Sequence, residues 1–497
     1  MKTFSVIFIA VFSSATIAQT SGDNRRTYHW YFGNGAGLDF SSGAPVAVTD
    51  GAMTAEEGCA SISDTCGNLL FYTDGDTVWN RNHLVMPNGT GLMGCYSSTQ
   101  SSLIVPQPEN DSIYYIFLTD CGENAGANGL RYSIVNINLD GGLGDVTDKN
   151  FPMYSPTLEK LASTYHNNGT DLWILSVNRY PSGPPPDTTY QYHAHLLSST
   201  GISPFPVISG SSMSPHKIDD GYMRFSHDGN RLANAWHAGT CYFCDTLEIL
   251  DFDNTTGVLS NPFTLVADSA NWGYGLVFSP DDSKIYHTTT NLFNWPEVYY
   301  KVFQFDLTGG DSASIAATKT LIHLCDSTNP LYTEYLSMQT GPDKRIYVAK
   351  MNNFGGEFYP DSIDVIFDPN LSGLACNYTV DGVSLGIGNG SQAGLPNFVD
   401  SYFQSPWSPV CSAEIPQNNL QEITIYPNPS SGAFQIDFSE NLTVIIYNPP
   451  LQKIGEQILD KENSPYYFDL SDQPSGLYFI HFSTQNNSAT KKFYLSK

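Results

Sequence analysis

The chain has 497 residues and carries 22 lysines and arginines against 49 aspartates and glutamates, a formal net charge of −27 at pH 7. This balance argues against a nucleic-acid binder or a polybasic membrane binder, because both need clustered cations. Apolar residues make up 41% of the chain and charged residues only 14%, so the chain has ample material for a core and is not typical of a disordered protein. Tyr, Phe, Gly and Pro are all abundant, which favours many short strands joined by turns.

Residues 1–18 are typical of a secretory signal peptide. Lys2 precedes an apolar run from Phe4 to Phe12, and small residues then lead to Ala18. The run is too short to span a bilayer, so we expect cleavage between Ala18 and Gln19 and no membrane span in the mature protein. The signal predicts an exported chain, in which disulfides can form, although nine cysteines leave at least one unpaired.

Two cysteine pairs are candidates for disulfides. Cys241 and Cys244 form a C-x-x-C motif, which in a cytosolic protein with a βαβ pattern would indicate redox chemistry or half of a zinc site. No second C-x-x-C motif and no βαβ pattern accompany it, so a disulfide within a loop is favoured. Cys95 and Cys121 flank one predicted hairpin and are placed to pair across it.

A strand, a tight turn and a second strand recur through the middle of the chain. The second strands are rich in aromatic and β-branched residues and restart at Leu70, Ile113, Leu172, Leu232, Ile285 and Ile346. A unit that recurs every 40 to 60 residues, roughly, is typical of a β-propeller blade. The predicted fold class is all-β, with a seven-bladed β-propeller over residues 24–404 and a small Ig-like β-sandwich after it. We expect residues 395–399 to close the seventh blade by pairing with strands between His29 and Phe40.

A different periodicity begins after a turn-rich linker at 405–421. Residues 422–497 contain short alternating strands, which predict the small β-sandwich. They also contain, in this order, Tyr426, Pro427, Asn428, Pro429, Gly432, Gly476, Tyr478, Lys491 and Lys492. This order resembles the type A C-terminal sorting domain of the type IX secretion system. The resemblance implies that residues 422–497 bind the type IX machinery and direct the protein across the outer membrane.

The resemblance also implies a Bacteroidota-type protein that is released or held at the outer cell surface, with the signal peptide and the sorting domain removed. The alternative for residues 422–497 is a plain Ig-like binding module. Residues 28–404 are similar to the propellers of secreted gliding-motility-associated and related surface proteins, through motifs at 30–40, 57–60, 72–75, 78–83 and 86–89. That similarity implies location and architecture and brings no catalytic residue.

Candidate chemical groups in the propeller region have simpler explanations. His193 and His195 lie two residues apart, so on a strand they face the same side and could begin a metal site. They fall in the outer third strand of their blade, which favours solvated or cross-strand-paired side chains. Asp64 and Asp228 lie in tight turns, where Asp caps its own backbone. The glycine-rich segment 33–37 lacks the Lys-Ser/Thr ending of a phosphate loop. The sequence therefore predicts no metal ion and no cofactor.

These observations favour a secreted or cell-surface propeller that binds a glycan or a protein and is not an enzyme. The rival is a propeller-fold polysaccharide lyase or glycoside hydrolase with its site at the mouth of the central channel. A third interpretation is a spacer in a surface adhesin. Three or more His, Asp or Glu side chains converging at the mouth of the channel would favour the enzyme.

Overall fold

The structure is nearly all-β. The computed structural model describes residues 23–179, 190–213, 220–237, 245–268, 272–290, 299–326, 333–352, 359–409, 411, 423–439, 441–448, 452–484 and 488–497. The described helices are α1 (Ser312–Ala317) and the short 3-10 helices Asp23–Thr27, Gly122–Asn124, Asp140–Gly142, Gly373–Cys376, Asp400–Gln404 and Lys461–Asn463. None of these helices is long and apolar enough to cross a membrane. The chain divides into two compact units, Met1–Val410 and Cys411–Lys497.

The described strands of the first unit form seven consecutive antiparallel sheets. Sheet 1 contains β1 (His29–Phe32), β2 (Ala36–Asp39) and β3 (Val46–Val48), and sheet 2 contains β4 (Ala60–Ser63), β5 (Leu69–Thr73) and β6 (Val78–Asn80). Sheet 3 contains β7 (Ser102–Pro106), β8 (Ile113–Leu118), β9 (Leu130–Asn136) and β10 (Asp145–Tyr154). Sheet 4 contains β11 (Thr157–Tyr165), β12 (Leu172–Arg179), β13 (Tyr190–Ser198), β14 (Gly201–Ile202) and β15 (Val207–Gly210).

The last three sheets of this unit have four strands each. Sheet 5 contains β16 (Met223–Phe225), β17 (Arg231–His237), β18 (Asp245–Asp253) and β19 (Val258–Asp268). Sheet 6 contains β20 (Trp272–Phe278), β21 (Lys284–Thr290), β22 (Tyr299–Asp306) and β23 (Thr320–Asp326). Sheet 7 contains β24 (Thr333–Thr340), β25 (Ile346–Asn352), β26 (Ser362–Ile366) and β27 (Tyr378–Ser384).

The six residues at which the sequence pattern restarts occupy equivalent places in their sheets. Each of the six repeat positions lies in the second strand of a different sheet, from Leu70 in sheet 2 to Ile346 in sheet 7. The turn aspartates also act as predicted, since the Asp64 carboxylate accepts hydrogen bonds from the backbone N–H groups of Cys66 at 2.8 Å and Asn68 at 2.9 Å. These bonds close the turn between β4 and β5 and so fix the register of that pair.

Apolar side chains pack between neighbouring sheets, and the first strands of successive sheets lie against one another. One core contains residues of sheets 1, 2 and 7 together. Within it the Trp30 ring meets the Tyr347 ring edge-on, with 5.4 Å between their centroids. The first and last sheets of the unit are therefore packed neighbours, although they are far apart in the sequence.

Residues 390–404 take a different path from the one predicted. Strand β1 pairs with β2 and β2 with β3, whereas residues 395–399 form no strand and contribute one parallel bridge, between Pro396 and Cys59. The expected pairing with residues 29–40 is therefore wrong. The polar groups of the segment bond instead to first strands of several sheets: Asn397 donates to the carbonyls of Cys59 at 2.8 Å and Leu161 at 2.9 Å, and the Asp400 carboxylate accepts from the Phe225 N–H at 2.8 Å.

The second unit contains two antiparallel sheets that share one core. Its strands are β28 (Thr424–Tyr426), β29 (Ala433–Asp437), β30 (Leu442–Tyr447), β31 (Lys453–Leu459), β32 (Tyr466–Asp469), β33 (Gly476–Ser483) and β34 (Ser488–Leu495). The sheets have the orders β28-β29-β32 and β31-β30-β33-β34. Phe434 of the first sheet packs on Phe493 of the second, with 4.1 Å between ring centroids. The alternation of apolar residues thus follows the predicted inward and outward faces.

Candidate functional site

Two glutamates with raised pKa values lie near the starts of β4 and β11. The buried Glu159 carboxylate accepts hydrogen bonds from the Thr99 N–H and hydroxyl at 2.8 and 2.9 Å, and from the Gly122 N–H at 2.7 Å. Burial raises the pKa of Glu159 to about 7 in spite of these bonds. Glu57 accepts from the Tyr274 hydroxyl at 3.0 Å, and burial together with the Glu159 charge raises the pKa of Glu57 well above its usual range.

Lys160 places a positive charge at the same end of β11. Its buried ammonium donates to the backbone carbonyls of Asp220, Gly221 and Ala235 at 2.8, 2.6 and 2.8 Å. It also lies 5.4 Å from the ring centroid of Trp236. These contacts stabilise the buried cation and tie β11 to the segment before β16 and to β17 of sheet 5. The Glu159 carboxyl group, with its pKa of about 7, is able to exchange a proton at neutral pH.

Glu248, in the middle of β18, is another buried carboxylate. It accepts five hydrogen bonds: from the Tyr192 hydroxyl at 2.7 Å, the Trp236 indole N–H at 2.9 Å, the Ser211 hydroxyl at 2.8 Å, and the Ser212 N–H and hydroxyl at 2.8 and 2.7 Å. The carboxylate therefore holds residues 211–212 against sheet 5. A side chain with this many donors stabilises structure and leaves little acceptor capacity for a ligand.

In the second unit, the segment after β28 carries the Tyr-Pro-Asn-Pro motif. Tyr426 is exposed at the end of β28, and the Tyr426–Pro427 and Asn428–Pro429 peptide bonds are both cis. The Asn428 amide donates to the Lys492 carbonyl at 2.9 Å, and its oxygen accepts from the Tyr494 N–H at 2.9 Å. The Asn428 side chain thus makes the two hydrogen bonds that a neighbouring strand would otherwise make to these backbone groups of β34.

Ser430 continues this contact along β34, and sequence reasoning missed it. Its N–H donates to the Tyr494 carbonyl at 2.9 Å, and its carbonyl accepts from the Ser496 N–H at 2.8 Å. Its hydroxyl donates to the Ala433 carbonyl at 2.7 Å. Residues 428–430 therefore satisfy the outer edge of the final strand, which would otherwise present unpaired N–H and C=O groups. A serine directly after Pro429, at a turn, was the available signal.

The remaining motif residues surround the same strand. Gly476 pairs with Leu495 and Tyr478 with Phe493, and the Tyr478 hydroxyl donates to the Pro474 carbonyl at 2.6 Å. A Cβ atom on Gly432 would lie 2.9 Å from the Cβ of Ser471, which explains the need for glycine there. The Lys491 ammonium donates to the Ile423 carbonyl, and Lys492 is exposed. The structure thus gathers the motif from three distant parts of the segment around β34.

The match with known families falls on this segment. Residues 424–496 match the family model described as the secretion system C-terminal sorting domain. This match supports export by type IX secretion to the cell surface or outside the cell, and it implies an interaction with the type IX machinery. We refer to residues 424–496 as the sorting domain. None of the curated proteins matches the chain.

Solved structures resemble the chain only distantly. The periplasmic gluconolactonase of Pseudomonas aeruginosa is 10% identical, with 72% of this chain and 100% of that chain covered and a TM-score of 0.32. An exo-β-1,3-galactanase from Phanerochaete chrysosporium, solved with galactose, is 10% identical, with 82% and 96% covered and a TM-score of 0.33. Similarities at this level establish neither a shared fold nor a shared activity for the region before the sorting domain.

Some of the other cysteines and site residues considered in the sequence analysis lie within the described ranges, and some lie outside them. The Cys95–Cys121 disulfide is confirmed. With Glu123, these two cysteines form the one three-residue group of potential metal ligands among the described residues, and the disulfide already engages both sulfurs. The cleavage site at Ala18 and Gln19 and the pair Cys241 and Cys244 lie outside the described residues.

His193 and His195 lie on β13, which is the third strand of sheet 4, as predicted. Both side chains are buried, so of the two predicted environments, solvated or cross-strand-paired, the solvated one is wrong. The physical reason is that β10 of sheet 3 covers this face, with the Tyr154 ring centroid 4.5 Å from that of His193. A strand that is third in its own sheet is thus still covered by the outer strand of the sheet before it.

Proposed function

We propose that the chain is an exported, seven-bladed β-propeller that binds a glycan or a protein at the cell surface, is not an enzyme, and is delivered by its sorting domain. This proposal includes a signal peptide at residues 1–18 that is cleaved after Ala18. It also includes the domain boundaries 24–404 and 422–497 and the removal of the sorting domain. The proposed delivery by the sorting domain is supported by one observation. Residues 428–430 hydrogen-bond along the edge of β34, within the segment that matches the sorting-domain family.

The packing of the first unit supports the propeller. Seven consecutive antiparallel sheets, first strands that lie against one another and a core shared by sheets 1 and 7 are the relationships expected of blades in a closed ring. Residues 390–404 bond to Leu161 and Phe225 in the first strands of sheets 4 and 5 and to Cys59 directly before the first strand of sheet 2, as a segment close to a ring axis would.

The candidate contact surface for a ligand is the partly exposed Trp79 ring, which belongs to an aromatic stack whose other rings, Tyr31 and Tyr72, are buried. The Tyr31 and Tyr72 rings stack with 4.4 Å between centroids, and Trp79 stacks on Tyr72 at 5.6 Å. Trp79 is partly exposed, and the neighbouring Leu84 and Val85 are 62% and 50% exposed. Partly exposed aromatic rings beside apolar residues are common in binding surfaces, since they give a large contact area at low entropic cost.

A secretion experiment tests delivery. Deletion of residues 422–497 should leave a folded first unit in the periplasm, whereas the full chain reaches the surface or the medium. Residues 422–497 fused to an exported reporter should carry that reporter across the outer membrane. Normal delivery of the truncated chain would contradict the proposal, and so would retention of the fusion.

A binding experiment tests the surface. The purified chain is applied to a glycan array and to extracts of surface proteins, beside the variant Trp79→Ala. A matched control is Phe205→Ala, which removes another exposed ring, 82% exposed, from sheet 4. Loss of binding in Trp79→Ala but not in Phe205→Ala is the expected result, and equal binding by both variants would place the ligand elsewhere.

The raised pKa values of Glu57 and Glu159 favour one alternative, a propeller-fold glycoside hydrolase. Such enzymes use two carboxyl groups, one of them protonated at neutral pH as the general acid. The alternative predicts hydrolysis of a polysaccharide by the wild-type chain, abolished by Glu159→Gln. The matched control is Glu56→Gln, which changes an exposed neighbour.

A further inference from the structure

The four-stranded sheet of the sorting domain is apolar on the side turned away from its core. Along each strand, side chains alternate between the core shared with the other sheet and this outer side. Val444 and Ile480 point into the core and are fully buried. The outer side carries six apolar residues that are half-buried or exposed: Ile445, Tyr447, Ile458, Leu477, Phe479 and Tyr494. We call these six residues the outer apolar face.

The register of the strands places these side chains next to one another. Tyr447 of β30 pairs with Phe479 of β33, and Leu477 of β33 pairs with Tyr494 of β34. Side chains paired in this way have Cβ atoms about 4.5–5.5 Å apart, so they form one continuous patch. On the other side of β30, Ile458 of β31 is 77% exposed and extends the patch to the outer strand.

The sequences of the two central strands explain why this face is apolar. Strand β30 is Leu-Thr-Val-Ile-Ile-Tyr and β33 contains Leu-Tyr-Phe-Ile, so apolar residues occupy nearly every position. An antiparallel strand with one face in water normally alternates apolar and polar residues, whereas a continuous apolar run is typical of a strand covered on both faces. In the three-stranded sheet, by contrast, the residues of β29 that face away from the core include Gln435 and Asp437. The four-stranded sheet therefore has the composition of a sheet with a second covering layer.

We propose that the outer apolar face is the surface by which the sorting domain docks on a protein component of the type IX machinery. This inference rests on the proposed delivery by the sorting domain, because the family match implies that machinery as the partner. Contiguous exposed apolar patches on soluble domains mark protein–protein contact sites. A partner strand cannot add at the edge of β34, since residues 428–430 already bond along it. The partner therefore meets a face of the sheet and not that edge.

The charge beside the patch describes the partner further. Lys492 pairs with Phe479 across β33 and β34 and is exposed, and within the described part of the chain it forms no ion pair. Lys453 and Glu456 on β31 form an ion pair with each other and so neutralise their charges. A positive charge thus remains beside the patch, in a chain whose net charge is −27. The component that docks here should present an apolar surface with an acidic group at its rim.

Export of full-length variants tests the assignment. Phe479→Thr removes a ring from the middle of the face and keeps a β-branched residue in the strand. The matched control is Tyr467→Thr, which removes a 69% exposed ring from the three-stranded sheet. Loss of a central aromatic residue commonly weakens an interface about 10-fold or more, so the exported fraction of Phe479→Thr should fall by about this factor. Tyr467→Thr should be exported like the wild type.

Photocrosslinking keeps the proposal testable if Phe479→Thr fails to fold. The crosslinker p-benzoylphenylalanine in place of Phe479 keeps an aromatic ring at that position, and the same crosslinker in place of Tyr467 is the control. The first chain should give a crosslinked product in cells that have the type IX system and none in cells that lack it. No product at position 479, a product that contains only a second copy of this chain, or full export of a folded Phe479→Thr variant would each overturn the assignment.

These outcomes are distinguishable from a failure of the proposed delivery. Export of the wild-type chain by cells that lack the type IX system would contradict delivery by the sorting domain itself. Export that depends on the type IX system, but is as efficient for Phe479→Thr as for the wild type, would contradict only the docking face.

Discussion

Asn428 and Tyr494 are joined by a hydrogen bond of 2.9 Å from the Tyr494 N–H to the Asn428 side-chain oxygen. The same side chain donates to the Lys492 carbonyl, so Asn428, together with the backbone of Ser430, closes the edge of the last strand. Open strand edges pair with other chains, and a segment that covers one keeps the domain from doing so. The Asn428 side chain of the motif therefore satisfies backbone groups of β34 through an amide that both donates and accepts.

Asn428→Ala should expose this edge. It removes one donor and one acceptor, which destabilises the sorting domain by about 1–2 kcal/mol. Hydrogen exchange of the Tyr494 amide should become faster, and the exported fraction of the protein should fall. Asn463→Ala is the matched control, because Asn463 is exposed and its side chain makes no hydrogen bond within the described residues. Unchanged exchange at Tyr494 in Asn428→Ala would show that the bond does not protect the edge.

Glu248→Ala should strongly destabilise the first unit. It leaves the buried donors of Tyr192 and Trp236 without their acceptor, and lost bonds to a buried charge cost about 3 kcal/mol or more in total. Urea unfolding followed by tryptophan fluorescence measures the change. Glu109→Gln, at an exposed position, should unfold like the wild type. A loss below about 1 kcal/mol would mean that water replaces the carboxylate at this place.

Glu159 should make stability fall as pH rises. Its pKa is about 7 in the folded chain against an ordinary value of 4.5, so the folded state holds the proton more tightly between these values. The free energy of unfolding is therefore highest below pH 4.5 and decreases up to pH 7, by on the order of 3 kcal/mol from this group. The difference between wild type and Glu159→Gln, measured by urea unfolding from pH 4 to 8, should follow this curve. A flat curve for Glu159→Gln would contradict the raised pKa.

The Cys95–Cys121 disulfide should stabilise the first unit. It closes a loop with a sequence separation of 26, for which loop-closure entropy predicts about 3–4 kcal/mol. Cys95→Ala/Cys121→Ala should therefore lower the free energy of unfolding measured in urea by about this amount. Peptide mapping of the wild-type chain should recover the linked peptides containing both cysteines. Equal stability of the variant would mean that the denatured chain already holds the two residues together.

Local patterns in the sequence predicted the local structure well. Leu70 and Ile346 each lie in the second strand of a sheet, as the repeat indicated, because alternation along a strand reports directly which face is buried. The Tyr426–Pro429 motif predicted the sorting domain, because its residues match a family in order. The Cys95–Cys121 pairing followed from two cysteines flanking one hairpin.

Contacts between sheets could not be predicted from the sequence. Residues 395–399 look like a strand, yet the Asn397 side chain bonds to Leu161, 236 residues away. His193 and His195 were expected to be solvated or paired across strands, because the alternation of one strand does not reveal that Tyr154 of the preceding sheet covers it. Glu159 was not singled out, because its raised pKa arises from burial that the surrounding sheets create.

The sequence by itself thus determined an acidic, strand-rich, repeated chain with a C-terminal sorting segment, since composition, period and motif are properties of neighbouring residues. The tertiary structure alone decided that Asn428 seals β34, that residues 390–404 run along the first strands and that His193 and His195 are buried together. Each of these three features depends on contacts between backbone and side-chain groups from distant segments. The hydrogen bonds and the burial that such contacts create cannot be inferred from a local sequence pattern.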